Sequence, residues 1–95
     1  MGRINTKRKG NRLEYKTMRL LEGLGYDCSR SAASRGTWDV VAIGAEDFRL
    51  VQVKANRRPG AEEMARIREA AVPGNCSREV WVWKDRQKEP EIEVI

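Results

Sequence analysis

Asp39, Gln52 and Lys54 are the residues of this chain whose types and spacing could do chemistry together. They sit on two apolar runs, Trp38-Asp39-Val40-Val41-Ala42-Ile43 and Phe48-Arg49-Leu50-Val51-Gln52-Val53-Lys54, separated by Gly44-Ala45-Glu46-Asp47. Such runs bounded by a short polar turn read as a β-hairpin. Centring it on Ala45-Glu46 pairs Ile43 with Phe48, Val41 with Leu50 and Asp39 with Gln52, and directly opposite residues share a face. Lys54, two residues beyond Gln52, leans to that face as well. An acid, an amide and an amine thus converge at one end of an apolar ribbon, where polar groups cost free energy unless partnered. Two readings follow. Asp39 and Lys54 form an ion pair, or Asp39 and the Gln52 amide offer hard oxygen ligands to Mg²⁺ or Mn²⁺, with Lys54 beside a bound water and a phosphate.

Composition narrows the choice of chemistry. The 95 residues contain no histidine and two cysteines, Cys28 and Cys76. That excludes a Cys/His zinc site within one chain and any Ser-His or Cys-His nucleophile. Both cysteines are expected to be free thiols, at least partly buried. Catalysis here has to run on carboxylates, amides, hydroxyls, lysine and a metal recruited by them. The formal net charge of +5 and pI near 9.6 favour polyanionic partners. Mean hydropathy is −0.69, no apolar run approaches the roughly 20 residues of a membrane span, and the basic N-terminus leads into no apolar signal-peptide core. The expectation is a cytoplasmic protein without membrane contact or small-molecule cofactor.

The elements that must position these residues can be read in order. Length implies one domain over 1–95, with residues 1–10 a flexible basic arm. Across residues 1–12, Arg3, Lys7, Arg8, Lys9 and Arg12 occur without an acid, a pattern of either a frayed terminus or an arm lying along phosphates. Leu13 to Gly25 reads as an amphipathic helix starting near Gly10-Asn11, with Asn11 as N-cap and Leu13, Thr17, Leu20, Leu21 and Leu24 on its buried side. Glu14, one turn inside, reads by itself as a surface acid favoured by the helix dipole. Tyr26 to Arg30 is a short strand feeding a Ser31–Gly36 loop suited to contacting a ligand. Arg57 and Arg58 follow the hairpin, and Ala61 to Val72 reads as a second helix with Met64, Ile67, Ala71 and Val72 buried, stopped by Pro73-Gly74-Asn75. Val80–Trp83 is a strand with aromatics on one face and valines on the other, and Glu91–Ile95 an edge strand. The element order is α-β-β-β-α-β-β, an α/β fold.

The helix acid, the serine-rich loop, an Asp heading one strand and an x-Lys pair on its hairpin partner resemble the PD-(D/E)XK nuclease superfamily. Within it, RLEYKTMRLLEGLGY, SRSAASRGTWDVVAI and RLVQVKA resemble the archaeal-type Holliday junction resolvases, of the sort also found in viruses. The resemblance spans roughly residues 8 to 84. It implies a restriction-endonuclease-like fold, a mixed twisted β-sheet flanked by helices, and roles residue by residue. Glu14 matches the first-helix acid that helps hold the metal, and Asp39 the metal-bridging aspartate. Lys54 matches the lysine that orients or activates the attacking water, and the Val53 carbonyl completes the metal's sphere. Ser31 matches the loop serine near the scissile phosphate, with Ser34 the nearby alternative. Arg30, Arg35, Arg57, Arg58 and the basic arm are left to grip the DNA backbone.

One position departs from the family pattern, which has Glu or Asp where this chain has Gln52. An amide oxygen can coordinate Mg²⁺ but carries no charge, so the site holds two carboxylates instead of three and loses a candidate general base. The function implied is a structure-specific endonuclease that resolves four-way junctions by metal-dependent phosphodiester hydrolysis. Alternatives are a nuclease of the same fold acting on other branched or linear DNA, and a catalytically weakened DNA-binding module. Since a four-way junction is two-fold symmetric and must be cut twice, a single-site chain of this size is expected to act as a homodimer. Trp81, Trp83, Met64 and Ile67 are the apolar residues considered for its contact surface.

Overall fold

A computed structural model describes residues 6–31 and 37–95, with the side chains of residues 6–9 outside the description. Its elements are α1 (Thr6–Gly23), β1 (Asp27–Arg30), β2 (Val40–Ile43), β3 (Phe48–Ala55), α2 (Ala61–Glu69), β4 (Cys76–Trp83) and β5 (Glu91–Val94), in the order expected from the sequence. The five strands form one mixed sheet in sequential order. β1, β2 and β3 make an antiparallel meander, β4 runs parallel to β3 after the α2 crossover, and β5 closes the far edge antiparallel to β4.

Strand alternation divides the sheet's side chains between two helices. On one face Leu13 and Leu21 of α1 pack over Val40, Ala42, Val51, Trp81 and Trp83. On the other, Met64 and Ile67 of α2 pack over Val80 and Val82. Tryptophans and valines of β4 therefore part as the sequence pattern requires. Burying each large aliphatic of these clusters contributes about 1.5–3 kcal/mol. Because Met64, Ile67, Trp81 and Trp83 are all inside, they provide no dimer surface; they are core.

Both helices differ from the sequence-based boundaries. α1 begins at Thr6, so residues 6–10 of the expected arm are helical and Asn11 lies inside the helix instead of capping it. Residues 1–5 lie outside the described residues. Its C-terminus is a Schellman motif: the Tyr26 N–H donates to the Leu21 carbonyl at 3.1 Å and the Gly25 N–H to the Glu22 carbonyl at 3.0 Å. Gly25 has φ of +96°, a conformation that costs glycine nothing. Leu20 and Leu24 were expected inside but are exposed, because the buried stripe is the narrower Leu13-Thr17-Leu21 row. α2 ends at Glu69, three residues early. Ala70 is extended and its carbonyl accepts two hydrogen bonds from the Arg78 guanidinium, at 2.7 and 3.3 Å, while Pro73 disfavours a helical Val72.

The β2–β3 hairpin has the register read from the sequence, with Ile43 opposite Phe48 and Val41 opposite Leu50. Its turn is closed by the Gly44 N–H on the Asp47 carbonyl at 2.7 Å. A Cβ at Gly44 would lie 2.8 Å from both Asp47 Oδ1 and the Tyr26 ring, so no larger residue fits while the Tyr26 hydroxyl donates to Asp47. Among the described residues no helix is long and apolar enough to cross a membrane.

Candidate active site

Asp39 stands where β2 begins. The ladder ends at Val40–Val51, so the expected Asp39–Gln52 pair falls just outside it. The Asp39 N–H still donates to the Val51 carbonyl at 2.9 Å. Its Oδ2 accepts the Val53 N–H at 2.9 Å, the bond another β2 residue would have taken. On the other side the Ser31 N–H donates to the Asp39 carbonyl at 2.9 Å, so Ser31 flanks Asp39 on the neighbouring chain segment. Burial pushes the Asp39 carboxyl above its usual range. The Val53 N–H and the Lys54 ammonium pull it back, and the charge of Glu63 pushes it up again.

Lys54 does not pair with Asp39. Its ammonium sits 3.3 and 3.2 Å from the two carboxylate oxygens of Glu63 on α2. Gln52, on the same face of β3, directs Nε2 to Glu63 Oε2 at 3.5 Å. A carboxylate only accepts hydrogen bonds, so it is the amide nitrogen that faces it and Oε1 that is left free. In the sequence Glu63 is one of two acids at the start of α2. Its place beside Gln52 and Lys54 depends on the α2 crossover, and no local pattern announces it.

Glu14 is held from the α1 side. Arg30 Nη1 donates to Glu14 Oε1 at 3.1 Å and to Asn11 Oδ1 at 2.9 Å, and its guanidinium lies over the Tyr15 ring. Burial raises the Glu14 carboxyl, Arg30 lowers it, and the nearby charge of Asp39 raises it further. Asp39 thus lies within electrostatic range of Glu14 on α1 and of Glu63 and Lys54. Arg30, expected to grip phosphate, is committed to α1.

The remaining expected contacts are dispersed. Arg12 and Arg57 are exposed. Arg58 is exposed and paired through two bonds with Glu93 at 2.8 and 2.9 Å. Arg3, Ser34 and Arg35 lie outside the described residues, and Lys7, Arg8 and Lys9 lie on the first turns of α1 with their side chains outside the description. Cys28 and Cys76 are free and half-buried, and burial raises both thiols; neither is poised as a nucleophile.

The donors fit a hard divalent cation. Among the described residues Asp39 Oδ1 and Gln52 Oε1 accept no hydrogen bond. Backbone pairing adds a third oxygen: Phe48 and Asn56 donate toward β4 and the segment before it, so by alternation the Val53 N–H and carbonyl point to the β2 side, as its bond to Asp39 requires. No group of three or more His, Cys, Asp or Glu suited to a metal occurs among the described residues. The set is therefore one carboxylate with neutral oxygens, a composition suited to Mg²⁺, which keeps several waters and needs only one or two carboxylates.

Comparison with solved structures finds the crystal structure of Archaeoglobus fulgidus Hjc, a Holliday junction resolvase from an archaeal hyperthermophile. The TM-score is 0.71 with 20% sequence identity, over 87% of this chain and 73% of that one. The fold is therefore that of the Hjc-like, restriction-endonuclease-like proteins. No curated protein matches the sequence. The family model for archaeal Holliday junction resolvase (Hjc) matches residues 5–72, a span that takes in Glu14, Ser31, Asp39, Gln52, Lys54 and Glu63. The chain belongs to the archaeal Holliday junction resolvase (Hjc) family.

Proposed function

We propose that this protein is a structure-specific endonuclease that resolves four-way DNA junctions by metal-dependent hydrolysis of a phosphodiester. The observation that carries the reading is Asp39 at the head of β2. Its carboxyl pKa is raised by burial; one oxygen is anchored to Val53 and the other has no partner among the described residues, with the Lys54 ammonium close enough to lower the pKa. This arrangement lies within a chain of the resolvase family.

In this mechanism Asp39, the Gln52 amide oxygen and the Val53 carbonyl would hold Mg²⁺ or Mn²⁺, with Glu14 contributing from α1. When bound, the cation lowers the pKa of a coordinated water and offsets charge on the phosphate. Lys54 orients the attacking water and stabilises the negative charge that grows on the phosphoryl oxygens. Ser31 stands beside Asp39 at the edge of the site, where its hydroxyl can position the scissile phosphate. The basic N-terminal segment, with Ser34, Arg35, Arg57 and Arg58, holds the neighbouring backbone. Two copies related by a dyad cut the two matched strands of the junction.

Asp39→Asn and Lys54→Ala are expected to lower cleavage of a labelled synthetic junction in Mg²⁺ by 10³-fold or more, on the order of what removal of a central catalytic group costs, while junction binding stays within a few-fold. Asp39→Asn should melt at or above the wild-type temperature, because it removes a charge that burial disfavours. Undiminished cleavage by both variants would place the chemistry elsewhere. A second reading has its own observation: Gln52 is neutral and Glu14 is bound to Arg30, a site with less negative charge than the family pattern implies. A weakened nuclease of this kind would bind the junction with a steep salt dependence and turn over slowly or not at all. A panel of junctions, flaps, nicked duplex and linear DNA, each with and without Mg²⁺, separates it from an active resolvase and from a nuclease of other branched substrates.

A further inference from the structure

The family pattern puts an acid where β3 has Gln52, yet the structure is not short of a carboxylate at that point. Glu63, on the first turn of α2, contacts Lys54 through both oxygens at 3.2 and 3.3 Å and the Gln52 amide at 3.5 Å. Its side chain is about one-third exposed and that of Lys54 somewhat less. The two β3 residues lie on the same strand face two positions apart, and Glu63 spans them from the helix opposite.

We propose that Glu63 is the positioning carboxylate of this site, supplied from α2 in place of the acid that β3 lacks. It acts through its two neighbours. With both oxygens on the ammonium, it holds Lys54 charged and at a fixed end of the strand. With one oxygen on Nε2, it fixes the rotamer of the Gln52 amide so that Oε1 is the atom left to act as an oxygen donor. A neutral amide in the strand can then serve as an oxygen donor, because the charge it lacks is restored one helix away. The inference rests on the resolvase reading for the reaction that Lys54 and Gln52 assist, but its geometry is independent of the substrate.

Moving the charge tests it. In Glu63→Gln the carboxylate is replaced by an isosteric amide, and the cleavage rate at saturating junction should fall about 10- to 100-fold, the scale of a small misplacement of a catalytic group. Junction affinity should stay within a few-fold. Adding Gln52→Glu to that variant returns a carboxylate beside Lys54 and should recover most of the rate. Mn²⁺ affinity, measured by calorimetry on the protein without DNA, should fall in Glu63→Gln and return in the double variant. A merely structural Glu63 would lower the melting temperature of Glu63→Gln without rescue by Gln52→Glu, and that result overturns the proposal. So does wild-type cleavage and Mn²⁺ affinity in Glu63→Gln. If Asp39→Asn cleaves normally the resolvase site itself is wrong, and the Mn²⁺ measurements still decide for or against Glu63.

Discussion

At the scale of single residues, burial pushes two carboxylates of this protein the same way, and their partners bring them to opposite sides of their ordinary values. Burial pushes Glu79 up, but the Arg49 guanidinium, the Ser77 hydroxyl and the Trp81 indole N–H together bring it below its ordinary value of 4.5. The bonds are short, at 2.7 and 2.8 Å to Arg49, 2.6 Å to Ser77 and 2.9 Å to Trp81. Asp39 has one backbone N–H and a more distant ammonium, and stays above its ordinary value of 3.8. Glu79 is held at both oxygens, whereas Asp39 keeps Oδ1 without a hydrogen-bond partner among the described residues. The linkage signs follow. A depressed carboxyl contributes stability that is complete above its unfolded value and is lost as pH falls through the folded one. Glu79 stability should thus be full at neutral pH and begin to be lost as pH falls below about 4.5. Glu79→Gln leaves Arg49 facing a neutral group, and breaking a buried pair of this kind costs about 3–5 kcal/mol. Urea denaturation at pH 7 should show that loss, and the gap between variant and wild type should narrow as pH is lowered toward 3. A gap that does not change with pH would mean that the Glu79 charge contributes nothing.

At the scale of elements, the attachment of α1 is what brings Glu14 within range of Asp39. The helix is fixed to the sheet by apolar packing and by one buried polar contact. The Thr17 hydroxyl donates to the Leu13 carbonyl and accepts the Trp83 indole N–H, both at 2.8 Å, with Thr17 wholly buried. Thr17→Val keeps the shape but leaves that indole N–H without a partner, at a cost of about 1–3 kcal/mol. A melting temperature lowered by several degrees would report it, with cleavage reduced little if the helix stays docked. Elements of this kind were largely legible in the sequence. Period-2 alternation over Val40–Ile43 and Phe48–Val53 sets the hairpin register, because a slip by one residue would turn Val40, Ala42 and Val51 outward. The Trp-Val alternation of β4 likewise assigns each face to its helix. What could not be read was set by contacts distant in sequence. Gly10 and a run of cations conceal the start of α1. Arg78 ends α2 by capturing the Ala70 carbonyl. Arg30, expected to grip phosphate, pairs with Glu14, and Glu63 reaches the Gln52–Lys54 pair only because α2 crosses over that end of the sheet.

For the whole molecule, the distribution of charge sets how it would meet DNA in the proposed reaction. Of the 19 Lys and Arg, five lie within residues 1–12, where there is no Asp or Glu; the remaining 14 are matched by 14 acids. The entire net charge of +5 therefore belongs to the N-terminal segment. Much of the rest is engaged, since Arg30, Arg49, Lys54, Arg58 and Lys84 each have a carboxylate partner within 3.2 Å. A body of balanced charge adds little counterion release, whereas each Lys or Arg that neutralises a phosphate contributes about 0.9 to the slope of log affinity against log salt. Replacing Lys7, Arg8 and Lys9 together by Gln should then reduce the magnitude of that slope for junction binding by about 2–3 per chain, and twice that for a dimer that places both segments on one junction. The cleavage rate at saturating junction should be nearly unchanged, because none of the three belongs to the site around Asp39. Sedimentation of the protein–junction complex fixes the number of chains, so the loss of slope per chain is measured directly. A slope unaffected by the three replacements would show that the phosphate contacts are made by the body of the protein, Arg57 and Arg58 foremost, and that the basic segment takes no part in binding.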